Sequence, residues 1–140
     1  MANTPMLLGR TLRLVANRIG QRHARQLSRL GITLAESELL RTLFNCGAVA
    51  PSVIADRMGL TRGAVSKLVD RLRAKRLVVR AAGGTDDRRF QTLALTGAGA
   101  TLIPALVAAE AASEAASFAA LSESERTALL AMLSSLSDGA

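Results

Sequence analysis

The stretch PSVIADRMGLTRGAVSKLVD, residues 51–70, leaves the chain few ways to fold. From Val65 onward the apolar residues Val65, Leu68, Val69 and Leu72 recur at i, i+3, i+4 and i+7, the rhythm of one helix face. Pro51-Ser52 suits the first turn of a shorter helix just before it, and Gly59 suits the break between the two. Small Ala55 lets the two helices approach, and β-branched Val65, six residues after Gly59, locks the second onto the first. The second helix nevertheless opens with Arg62-Gly63-Ala64, with Ser66 and Lys67 just behind. Two nearly side-chain-free positions stand beside two cations, where an ordinary solvated face carries bulky charged residues. That first turn is shaped for something to come close.

Two short helices with this turn are what a helix-turn-helix requires, and in that motif the second helix lies in the DNA major groove with its N-terminal residues at the base edges. Gly63 and Ala64 would then let the helix end approach the duplex, Arg62 and Lys67 could reach guanine or phosphate, and Ser66 could pair with either. Exposed amides at the helix N-terminus add phosphate affinity. Any two packed helices can show Ala, Gly and Val at these spacings, so the distribution of charge matters. Between residues 57 and 89, ten Lys or Arg stand against three Asp, whereas elsewhere eight basic residues face eight acidic ones. The whole net charge of +7 therefore sits on the stretch that holds the motif. From residue 97 onward one Arg faces five acids. A basic patch on a neutral or acidic body is the electrostatic footprint of a polyanion binder.

At 140 residues the chain reads as a single domain, 1–140, with an aliphatic core, since it holds three Phe and neither Trp nor Tyr. The expected class is mainly α with a small β-hairpin wing. Thr4-Pro5 opens a first helix with a buried stripe of Leu8, Leu12, Val15 and Ile19, a second stripe of Arg18, Arg22, Arg25 and Arg29, and an end at Gly31. Thr33 and Glu36 form a capping box for a helix reaching Cys46 and stopping at Gly47. Residues 48–50 are short enough for one extended link. Thr61 caps the second helix of the motif, which should run to about Arg76. Residues 77–80 and 90–95 then read as a hairpin with an extended tip, Phe90 being out of phase with Leu93 and Leu95. Thr96 caps an alanine-rich helix through Phe118 that Pro104 should kink or delay. Ser122 and Glu125 make a second capping box, before a last helix whose Leu129, Leu130, Met132, Leu133 and Leu136 exceed what a short tail needs for itself. Self-association is expected from that face, the alternative being a helix folded back on its own core.

The hairpin tip, Asp87-Arg88-Arg89, supplies a second candidate contact. A wing beside a recognition helix would place an arginine in the adjacent minor groove, with Asp87 orienting Arg89 through a carboxylate–guanidinium pair. The alternative is a solvated turn with an ion pair worth little. The candidate DNA-contacting set is thus Ser52, Thr61, Arg62, Gly63, Ser66, Lys67, Arg71, Arg88 and Arg89, with Asp87 supporting the wing.

With these residues in view, the chain resembles the MarR-type (multiple antibiotic resistance regulator) winged helix-turn-helix transcriptional regulators. The matching stretches are GITLAESELLRTL, LTRGAVSKLVDRLRAKRLVVR and DDRRFQTLALT, and the family's Asp-x-Arg wing signature falls on Asp87 and Arg89. The resemblance implies dimerisation helices at 4–30 and 97–138 around a DNA-binding lobe at 33–96, with the helix-turn-helix at 51–76 and the wing at 77–96. It implies a homodimer with interlocking first and last helices, a palindromic operator in double-stranded DNA, and a small-molecule effector bound between the two regions. The expected function is an effector-responsive repressor, and the alternative is a sequence-indifferent architectural DNA-binding protein. The chain departs from the family at Gly97-Ala98-Gly99, where charged residues are usual.

Other classes find little support. Asp86-Asp87 in a turn and Glu36/Glu38 at i, i+2 do not converge on one site, and no glycine-rich phosphate loop or nucleophile–base constellation is present, so no enzyme and no cofactor is expected. His23, amid Arg22 and Arg25, reads as an exposed or interfacial residue, and with no Cys/His cluster no metal site is expected. Cys46, at a helix C-terminus, lacks the cationic setting of a reactive thiol and reads as a packing residue. A single cysteine and the lack of an apolar run of roughly 20 residues lead to the expectation of a cytoplasmic protein without a membrane partner.

Overall fold

The computed structural model describes residues 4–81 and 91–138. In chain order the elements are α1 (Thr4–Ser28), α2 (Leu34–Cys46), α3 (Pro51–Met58), α4 (Arg62–Ala74), β1 (Val78–Ala81), β2 (Thr92–Leu95), α5 (Gly97–Ser117) and α6 (Glu123–Asp138). Local signals account for most of the boundaries. The Thr33 hydroxyl accepts the Glu36 N–H at 3.1 Å while the Glu36 carboxylate accepts the Thr33 N–H at 2.8 Å, so both halves of the α2 capping box are made. Gly59 ends α3 in the left-handed region (φ 65°, ψ 34°), where a Cβ is costly, and its N–H donates to the carbonyls of Ala55 and Asp56. Ser122 and Glu125 cap α6 reciprocally as expected.

The core lies where α2, α3, α4 and the hairpin meet. Leu39, Leu40 and Leu43 of α2 pack there with Ile54 and Ala55 of α3, and with Val65, Leu68, Val69 and Leu72 of α4. The four residues that set the helical rhythm are thus all buried, each such aliphatic side chain contributing about 1.5–3 kcal/mol. β1 pairs antiparallel with β2 from Val78↔Leu95 to Ala81↔Thr92. Residues 48–50 do more than link: Val49 and Leu93 exchange backbone hydrogen bonds of 3.1 and 2.8 Å, which pins β2 to the body. The second strand begins at Thr92, and Phe90 lies outside the described residues.

Three expectations need correction. α4 ends at Ala74, because Lys75 closes the last turn and Arg76 swings into the left-handed region at φ 61°. Pro104 does not delay α5, which starts at Gly97 under the Thr96 cap and carries the proline in its interior. Of the three departing positions, Gly99 has a structural reason, since a Cβ there would run into the Leu77 carbonyl oxygen. The third correction concerns α1, whose Leu8 is 65% exposed and whose Leu12 and Val15 are exposed as well, Ile19 being half-buried. The stripe is real, but no described residue of the same chain buries it; among the described residues α1 is buried only toward its C-terminal end, at Leu27. Of the two readings of α6, the alternative of a helix folded back on its own core is the one that fails: α6 buries no residue, and Leu130 and Leu136 are each 66% exposed.

Candidate nucleic-acid interface

α4 divides cleanly into two faces. While Val65, Leu68, Val69 and Leu72 face the core, Arg62, Gly63, Ser66, Lys67 and Arg71 are all exposed. Lys67 and Arg71 lie one turn apart, so their charges project from neighbouring positions on one side. A Cβ at Gly63 would meet nothing within 4 Å. The fold therefore makes no demand for glycine there, and the open space faces outward. Thr61 uses its hydroxyl oxygen to accept the Ala64 N–H at 3.1 Å, which leaves the hydroxyl hydrogen to donate elsewhere.

A cleft of about 510 Å³ opens between the start of α3, the start of α4 and the hairpin, lined by Ser52, Arg62, Arg80, Gln91 and Leu93 with Ala50 and Pro51. It brings together Ser52 and Arg62 from the expected set and adds Arg80 and Gln91, which the sequence reading missed. The available signal was the two-residue period of a strand: Arg80 shares a face with Val78, and Val78 is buried. Arg80 reaches toward Asp70, the one acid on α4, at 3.9 Å. Two guanidinium groups, an amide and a hydroxyl on one rim suit a phosphate group, which takes charge-assisted and neutral hydrogen bonds together. Asp87, Arg88 and Arg89 lie outside the described residues.

A second, smaller cleft of about 220 Å³ lies between α1, α2 and α5, lined by His23, Ser37, Glu38, Arg41, Thr42, Asn45 and Glu110. His23 is half-buried rather than exposed; its Nε2 is shut off from solvent without a hydrogen-bond partner, while Arg41 and Glu110 pair across the cleft. Cys46 is a half-buried free thiol at the end of α2. Among the described residues no group of three or more His, Cys, Asp or Glu side chains is placed to hold a metal ion, and no helix is long and apolar enough to cross a membrane.

The element order, the outward first turn of α4 and the adjoining hairpin can be set against known proteins. Residues 30–89 match the family model of the MarR family. Over that stretch the chain is similar to the MarR family. No curated protein sequence matches it. Solved structures do: MarR of E. coli, as a cysteine-to-serine mutant complexed with operator DNA, is 23% identical with a TM-score of 0.86, over 96% of this chain and 96% of that one. A MarR family protein of Mycobacterium tuberculosis in complex with DNA is 25% identical with a TM-score of 0.77, over 92% and 96% of the two chains. BpsR of Bordetella bronchiseptica, described with regulation of its DNA binding by 6-hydroxynicotinic acid, is 24% identical with a TM-score of 0.83, over 94% and 93%. The MarR-type fold thus extends over nearly the whole chain, from the first helix through the last.

Proposed function

We propose that this chain is a MarR-type, sequence-specific DNA-binding transcriptional regulator, acting in the cytoplasm as a homodimeric, effector-responsive repressor on a palindromic operator. The observation that carries the reading is the first turn of α4, where Arg62, Ser66 and Lys67 are exposed around an open Gly63 beside the cleft of Arg80 and Ser52. Within it, Ser52, Thr61, Arg62, Gly63, Ser66, Lys67 and Arg71 meet the duplex. Arg88 and Arg89, supported by Asp87, enter the neighbouring minor groove. The exposed apolar faces of α1 and α6 support the dimer, in which two recognition helices would stand about one DNA turn, ~34 Å, apart.

In the same reading, residues 4–30 and 97–138 form the dimerisation region, and 33–96 the DNA-binding lobe. An effector acts by preferring a dimer whose recognition helices no longer fit both half-sites, and it shifts the equilibrium only by its difference in affinity for the two states. The cleft holding His23, between α1, α2 and α5, lies where such a difference would arise, because those helices join the two regions.

Selection of binding sites from random duplexes tests the proposal. Enrichment of a palindrome, bound far more tightly than scrambled DNA at fixed salt, is the expected result. Unselective binding that collapses as salt rises would leave an architectural DNA-binding protein instead.

A further inference from the structure

Lys75 follows the last residue of α4, and its side-chain hydrogen bonds run to residues outside that helix. Its Nζ donates to the Gly31 carbonyl at 2.7 Å and to both Glu36 carboxylate oxygens at 2.9 Å, partners 44 and 39 residues earlier in the chain. All three ammonium hydrogens are thereby placed. Glu36 is fully buried, and the same carboxylate accepts the Thr33 N–H that starts α2. One ion pair thus joins the C-terminal end of α4 to the corner between α1 and α2. The next two residues extend the joint in the other direction. The Arg76 carbonyl accepts from the Thr96 hydroxyl at 2.7 Å, and the Leu77 carbonyl accepts the Thr96 N–H at 3.1 Å, against the start of α5.

We propose that Glu36 and Lys75 are positioning residues for operator recognition: their ion pair fixes α4 against the α1–α2 corner, and so sets the separation of the two recognition helices in the dimer. The inference rests on the proposed function, with α4 as the DNA-contacting helix of a dimer. Neither residue belongs to the DNA-contacting face, and a carboxylate with no exposure meets no phosphate. Apolar packing alone could hold α4 to the core, but packing is tolerant of small rotations, whereas three directed hydrogen bonds at the helix end are not. Buried polar groups used in this way supply register more than stability.

The test uses the full chain with Glu36→Gln and Lys75→Met combined. Gln keeps the α2 capping box, and removing both charges together leaves no uncompensated buried ion, so this variant folds where Lys75→Met alone risks unfolding. Binding is measured to the selected palindrome, to duplexes with one base pair added or removed between the half-sites, and to a single half-site. Wild type is expected to prefer its own spacing by about tenfold or more, since each added pair rotates one half-site by a tenth of a turn. In the double variant that preference should fall to about threefold or less with half-site affinity held within about twofold, whereas Lys75→Arg alone, which keeps a cation opposite Glu36, should retain more of it than the double variant does. A double variant with the wild-type spacing profile would overturn the inference, as would a loss confined to half-site affinity. Wild type with no spacing preference would overturn it too, by removing the dimeric operator reading on which it rests, and that failure shows in the unsubstituted protein.

Discussion

Gly99 and Gly63, 36 positions apart, stand in opposite surroundings: the Leu77 backbone crowds the first, and open space surrounds the second.

 A Cβ at residue 99 would drive into the Leu77 backbone, so Gly99→Ala should destabilise the chain by about 1–3 kcal/mol, the usual cost of overpacking a tight contact. At residue 63 there is open space on a helix surface, so Gly63→Ala should leave stability unchanged or raise it by up to about 1 kcal/mol while weakening operator binding. Urea midpoints and DNA titrations on the same two variants separate these outcomes; a Gly63→Ala protein that binds as wild type would show that no duplex approaches that turn. The cations beside it divide by the kind of loss they cause. Replacing Arg62 or Lys67 by Ala should cost about 1–3 kcal/mol at particular base pairs, measured as a change in selectivity across single-position operator variants. A loss uniform over all sequences would make that residue a phosphate contact.

At the level of elements, the sequence carried the helix-turn-helix and its neighbours because their signals are local: Thr33, Gly59, Thr61, Thr96 and Ser122 each cap a helix through a partner within four residues. What it hid depends on contacts between distant residues. Arg80 joins the cleft through the twofold period of β1 and the placement of α4, and the Glu36–Lys75 pair spans 39 residues with no periodicity to announce it. That pair gives α2 and α4 a dependence on pH. Burial pushes the Glu36 carboxyl up, but hydrogen bonds from Lys75 and Thr33 and the Lys75 charge outweigh burial and hold it below the ordinary carboxylate value. The unfolded chain therefore takes up this proton at a higher pH than the folded one does. Stability from the pair is fully present above the ordinary value and is lost as pH falls through the depressed folded one. Urea midpoints from neutral to acid pH should show wild type losing stability along that limb, and the variant combining Glu36→Gln with Lys75→Met losing less of it. Parallel curves for the two proteins would mean that other carboxylates govern acid unfolding.

For the whole molecule, the unanswered surface is the one that α1 and α6 present. Periodicity announced that Leu8, Leu12 and Val15 form a face to be covered, but a sequence period does not say which chain covers it. The charges say more. α1 carries five Arg and no acid, whereas α5 and α6 together carry five acids and one Arg, so the first helix of one copy suits the last helices of another in sign as well as in exposed apolar area. If that is the contact, Leu12→Glu and Leu136→Glu should each shift the protein toward monomer in sedimentation while leaving the core around Leu39, Ile54 and Leu72 intact. Binding to a single half-site should then be nearly unchanged, because no residue of α1 or α6 lines the cleft at Arg62. Binding to the full palindrome should fall by about 10²–10⁴-fold, the gain that tethering two binding modules provides. A variant that sediments as a monomer yet holds the palindrome as tightly as wild type would place all of the operator affinity in one protomer. A variant that remains dimeric despite a glutamate in the stripe would move the interface off α1 and α6 altogether.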